Sequence, residues 1–145
     1  MKSLFYVALV TPYLWGASLS AQDQASDASD PDRRVARAQF TTEIVDREPA
    51  DRVLVLSPPV EEVFFFTDLR RMDGETVTHS WHYQGELVSR MSFEVGGPRW
   101  RVYSKVLLEP HQIGEWSVIV TDSSDWPLYT ELFRYQAAEN VQMLE

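Results

Sequence analysis

The chain has 145 residues, 13 Lys and Arg against 22 Asp and Glu, a formal net charge of -9 and no cysteine. That length fits one small domain with extensions, and the missing cysteine excludes a disulfide scaffold, a thiol nucleophile, a Cys-ligated zinc site and a lipid anchor carried on cysteine. The acidic balance argues against nucleic acid, whose phosphates call for a basic surface, while 44% hydrophobic and 12% aromatic residues are too many core formers for a disordered chain.

Lys2 is the only charge in the first 21 residues, and it precedes an apolar stretch from Leu4 to Trp15 and small residues from Gly16 to Ala21. A positive start, a short apolar core and a small-residue end predict a secretory signal peptide over residues 1–21, cut after Ala21. The other reading is a retained anchor. That run is short of the ~20 residues of a span, and Pro12 interrupts it, so membrane contact is expected only through this segment if it is kept. The expected compartment is the periplasm. Without the signal, 12 bases face 22 acids, a net charge of -10, and eleven of the 12 bases are Arg. Residues 22–34 follow as a flexible acidic linker, with four Asp between Asp23 and Asp32 and no large apolar side chain.

Residues 35–136 read as the folded domain, with 137–145 as a flexible tail. Short apolar runs alternate with turn residues, and every glycine after the signal sits at a break. This pattern predicts an all-β fold, an immunoglobulin-like antiparallel β-sandwich of about 7–8 strands. Strands are expected near 35–45, 52–57, 62–69, 75–83, 86–94, 99–108, 115–122 and 127–135. Met91, Phe93 and Val95 alternate inward, as do Trp100, Val102, Ser104 and Val106 on the next run. Gly96-Gly97-Pro98 between them predicts a hairpin closed by Glu94 opposite Arg99, with Met91 facing Val102 and Arg90 facing Tyr103. Val63 to Phe66 is apolar on both faces, as in a covered central strand or one that offers an apolar edge to a partner.

Residues with chemical potential are few. His79 and His82 are three apart, which on a strand sends them to opposite faces; with His111 in a loop they make no metal site, and no metal or cofactor is expected. His79 shares its side with Val77 and Trp81 and reads as a core-edge imidazole bonded to backbone. No Gly-x-Ser-x-Gly elbow supports a catalytic serine. Glu61-Glu62 and Asp122…Asp125 fall at turns, where acids are solvated, and no Gly-rich loop opens a helix to hold phosphate. Trp81, Trp100 and Trp116 lie in phase with inward residues, whereas Trp126 before Pro127 either caps the sandwich end or stacks on a ligand. The predicted outer face of the 86–108 hairpin gathers Arg90, Arg99, Arg101 and Lys105 with Tyr103. Such a cluster suits a carboxylate, a phosphate or an acidic sugar, unless neighbouring acids simply pair with it.

Thr78-His79-Ser80-Trp81, Gly96-Gly97-Pro98-Arg99-Trp100-Arg101 and Gly114-Glu115-Trp116 occur in order, with Arg37 to Thr42 upstream and Glu131-Leu132-Phe133 downstream. On these residues the stretch 35–135 resembles the bacterial family called domain of unknown function 2914. The resemblance implies a Gram-negative envelope domain and supplies no catalytic residue. The expected function is therefore a non-catalytic exported module that binds an envelope protein or anionic glycan through the 86–108 face. The alternatives are a hydrolase of envelope polymers using a His and a carboxylate, and a purely structural assembly factor.

Overall fold

Alternation of apolar and polar side chains organises residues 34–138, the part of the chain that the computed structural model describes, into ten strands without a helix. They are β1 Val35–Thr41, β2 Ile44–Val45, β3 Glu48–Pro49, β4 Val55–Leu56, β5 Glu62–Arg70, β6 Thr76–Tyr83, β7 Glu86–Glu94, β8 Arg99–Leu107, β9 Gly114–Thr121 and β10 Pro127–Tyr135. A three-stranded sheet, β1-β5-β8, faces a five-stranded sheet, β4-β10-β9-β6-β7, and β2 pairs with β3 alone. All ladders are antiparallel except β4 on β10. The expected signal peptide, nearly all of the acidic linker and the last seven residues of the tail lie outside the described residues.

Several expectations need correction. The strand placed at 35–45 is broken. Asp51 accepts hydrogen bonds from Thr41 Oγ1, the Thr42 amide and Thr42 Oγ1, which turns the chain out of β1 at Thr41. Burial raises the Asp51 pKa, but these bonds together outweigh it and hold the carboxyl below its ordinary range. Beyond the break, Asp46 and Arg47 take φ values of 50° and 66°, the two positive dihedrals of a tight type I′ hairpin joining β2 to β3.

The hairpin expected over 86–108 does not form. β7 pairs with β6, and β8 with β5, so residues 95–98 cross from one sheet to the other. The ends of the crossing bond to the β5–β6 turn instead of to each other: Arg71 N–H donates to Pro98 O, and Gly74 N–H to Val95 O. The indole of Trp100 lies against Gly96, where an added Cβ would stand 3.0 Å from the ring. Glycine is needed there for this close approach.

The core is aromatic. Phe40 stands at the centre, with ring centroids 4.9 Å from Phe65, 5.6 Å from Trp81 and 4.7 Å from Phe133. Trp81 and Trp116 are buried as expected, whereas Trp100 is half-buried against the cluster. Met91 faces inward but lies on the edge strand β7 and is exposed. Val63, Phe65, Thr67 and Leu69 of β5 are buried between the sheets.

His79 joins the two sheets. It is fully buried, and its partners are side chains rather than the expected backbone. Nδ1 lies 2.9 Å from Ser104 Oγ on β8, and Nε2 lies 3.1 Å from Thr67 Oγ1 on β5. Trp81 Nε1–H donates to the same Ser104 oxygen at 2.9 Å. That oxygen accepts from the indole, and its one hydrogen has Nδ1 within reach. With that hydrogen given to Nδ1, Nε2 carries the ring proton and donates to Thr67. Burial disfavours the imidazolium and pushes the pKa down to about 3.

Ser104→Ala removes the partner of two buried nitrogens and is expected to lower unfolding free energy by ~2–4 kcal/mol, against ~1–2 kcal/mol for the isosteric Thr67→Val. Equilibrium denaturation of both variants checks the order. The unfolded chain accepts a proton on His79 below pH 6.5 that the folded chain refuses. This ring's contribution to stability is therefore complete above pH 6.5 and declines as pH falls toward 3, by at most about 1.4 kcal/mol per pH unit.

Candidate functional site

With Val63, Phe65, Thr67 and Leu69 turned inward, the alternate residues of β5 must face out. Register then builds the outer face of the three-stranded sheet in rows. Asp68 stands between Arg37 and Arg101, Phe66 between Gln39 and Tyr103, and Phe64 between Thr41 and Lys105, while Arg70 is opposite Arg99. Arg99, Arg101, Tyr103 and Lys105 therefore share one face, as expected, on a different sheet from the one inferred. Arg90 does not join them. It lies on β7 in the other sheet, where its Nε donates to Ser80 Oγ at 3.3 Å. Trp126 is also separate: it is 69% exposed in the β9–β10 turn, and its amide donates to Asp122 Oδ1.

Four residues that the sequence reading passed over complete the face: Arg37, Glu48, Asp68 and Arg70. Glu48, on the short hairpin, accepts from Arg37 of β1 and Arg101 of β8 and so spans the central strand. The Arg37 hydrogen bond is the main reason the Glu48 carboxyl is held below its ordinary range, and Arg101 adds to it. Beneath this bridge Phe66 is fully buried although it points away from the core, and the Arg37 guanidinium lies 4.7 Å from its ring centroid. Asp68 Oδ2 accepts from Arg70 at 2.9 Å and from Arg99 at 3.2 Å. Its Oδ1 is buried without a hydrogen-bond partner among the described residues, as is Arg70 Nε. Lys105 donates to Glu62 at 2.8 Å and stands over Phe64, whose ring meets Tyr103 edge-on.

The ion pairing expected as the simpler reading is thus present and reaches every one of these cations, but the acids that pair with them are fewer. Arg37, Arg70, Arg99, Arg101 and Lys105 face Glu48, Glu62 and Asp68, five bases to three acids. The Arg99 side chain remains 56% exposed. The only signals for the missed residues were the alternation of Phe64, Phe66, Asp68 and Arg70 and an Asp within an apolar run. Nothing local placed Glu48 above them.

The histidines are dispersed. His79 is enclosed by hydroxyls, His82 Nδ1 lies 3.1 Å from Ser80 O, and His111 Nδ1 lies 3.3 Å from Glu109 in an exposed loop. Among the described residues no three His, Cys, Asp or Glu side chains are grouped to hold a metal. A groove of about 330 Å3 between β7 and β8, which Val88, Lys105, Leu107 and Trp116 help to line, contains neither His nor carboxylate. Val63–Phe66, weighed as an apolar edge, belongs to the central strand of its sheet.

Residues 74–135 match the family model described as protein of unknown function (DUF2914). The matched segment is shorter than the resemblance expected over 35–135. It runs from the turn before β6 to the end of β10 and includes Arg99, Arg101, Tyr103 and Lys105, but not Arg37, Glu48, Asp68 or Arg70. No curated protein matches the chain.

The Glu48 bridge has a pH signature. Its folded carboxyl is more acidic than the unfolded one, so its contribution is present above the ordinary glutamate range and lost as pH falls through the lower folded pKa. The stability difference between the native chain and Glu48→Gln, followed by urea unfolding, is expected to be clear at pH 6 and to vanish in strong acid or high salt.

Proposed function

We propose that this chain, whose residues 74–135 match the DUF2914 family model, is an exported, non-catalytic β-sandwich of the bacterial envelope that binds a carboxylate-bearing partner, glycan or protein segment. The binding surface is the outer face of β1, β5 and β8. The observation that carries this reading is the excess of cations on that face, in a chain of net charge -9. Guanidinium groups take carboxylates in two parallel hydrogen bonds, and Tyr103 beside them offers an aromatic surface for a sugar ring or a side chain. Export is supported by the lysine-led apolar start and small residues up to Ala21.

The non-catalytic part is supported by the dispersal of the histidines. A hydrolase that works through a His and a carboxylate needs the imidazole within reach of both the acid and the substrate. His79 lies between two hydroxyls in the core, and the His111–Glu109 pair stands in open solvent.

Polygalacturonate and polyglutamate, with neutral dextran as control, test the face by calorimetry at low ionic strength. The carboxylate polymers are expected to bind, to weaken with salt, and to lose at least about tenfold in affinity to the double variant Arg99→Ala/Arg101→Ala. Unchanged affinity in a variant with native circular dichroism would refute the assignment.

A further inference from the structure

The four outermost strands of the two sheets are not equally protected. An exposed edge offers unpaired N–H and C=O groups to any other strand, and natural edges are blunted by charge, brevity or a covering segment. β8 carries Arg99, Arg101 and Lys105, β4 has two residues, and β1 is bridged at Phe40 by Val53. β7 has nine residues and no Pro, its charges Glu86, Arg90 and Glu94 are of mixed sign where those of β8 are all positive, and it exposes Leu87, Val88 and Met91.

We infer that β7 is a self-association edge, at which two copies of this chain pair antiparallel about a two-fold axis through Ser92. Hydrogen-bond direction and charge together select that register. Val95 exchanges both its N–H and its C=O with the segment leading into β6, so by alternation Phe93 and Met91 also bond inward. The free backbone groups belong to Arg90, Ser92 and Glu94. Toward the start of the strand a bulge at Val88 breaks the ladder with β6, leaving residues 89–95 as the regular stretch, with Ser92 at its midpoint.

A two-fold axis at Ser92 sets Arg90 opposite Glu94 of the second copy, twice, and Met91 opposite Phe93, twice. Within one copy Arg90 and Glu94 share a face about 13 Å apart, too far to pair. Arg90 reaches only the Ser80 hydroxyl among its identified partners. A two-fold axis at Arg90 would instead oppose Arg90 to itself and Glu86 to Glu94, which cross-strand charge repulsion disfavours. The Ser92 axis joins the two five-stranded sheets into one and covers Met91, which is 42% exposed in the single copy. Such an isologous pairing closes on itself, because it uses the β7 edge of both copies and leaves only the two-residue β4 at the ends of the joined sheet.

Sedimentation velocity on the purified protein and two single-charge variants tests the pairing. The native chain is expected to show a concentration-dependent monomer–dimer equilibrium. Arg90→Glu and Glu94→Arg should each weaken the dimer about tenfold or more, because each opposes like charges twice. An equimolar mixture of the two variants should recover the dimer, since every pair is then complementary, and so should the double variant. A native chain that stays monomeric up to about 1 mM overturns the inference. So does a dimer that tolerates both single reversals, or one that the mixture fails to restore while circular dichroism reports native folds.

Discussion

The imidazole of His79 stands where the two sheets meet, and the rest of the molecule follows from how it is held. A buried ring must be neutral and must satisfy both nitrogens within the protein. One hydroxyl from each of two strands of the opposite sheet does this, Thr67 on β5 and Ser104 on β8, and the Trp81 indole shares the second. These bonds fix the position of β6 against β5 and β8 more narrowly than aliphatic packing would, since apolar contacts tolerate sliding and hydrogen bonds do not. Phe65 and Phe93 press edge-on against the ring at 5.1 and 5.0 Å, and so exclude water from it.

The inner network also dictates the outer face. A strand alternates strictly, so placing Thr67 and Ser104 inside places Phe66, Asp68, Tyr103, Arg101 and Lys105 outside. Arg37 and Arg101 then stand on either side of Asp68, and the small β2–β3 hairpin brings Glu48 across them. This arrangement spreads negative charge over the domain while concentrating guanidinium groups on one sheet. Surface pairs contribute little stability individually, so such a concentration acts chiefly on what can approach the surface.

Much of this was legible in the sequence because a period of two reports which way a side chain points. The spans of β5 to β10, the inward placement of His79 and Trp81, and the common face of Arg99, Arg101, Tyr103 and Lys105 all follow from alternation. The same pattern does not report which strand lies alongside. β7 and β8 have compatible alternation and a short connection, so they resemble a hairpin, yet each pairs elsewhere. That single ambiguity misplaced Arg90 and hid the free edge on which it lies. Glu48 was invisible for a related reason: its site is made by residues 11 and 53 positions away in the chain. The burial of Phe66 on an outer face depends on that same long-range bridge.

A neutral His79, protonated on Nε2, bridges the two sheets through Ser104 and Thr67. Long-range proton–nitrogen correlation NMR of the histidine-labelled chain reads this directly. The His79 ring is expected to show the neutral Nε2–H tautomer and to keep it from pH 7 down to about 4, in keeping with a pKa pushed down to about 3. A ring that takes up a proton near its ordinary pKa in the folded protein, or that carries its hydrogen on Nδ1, would contradict it.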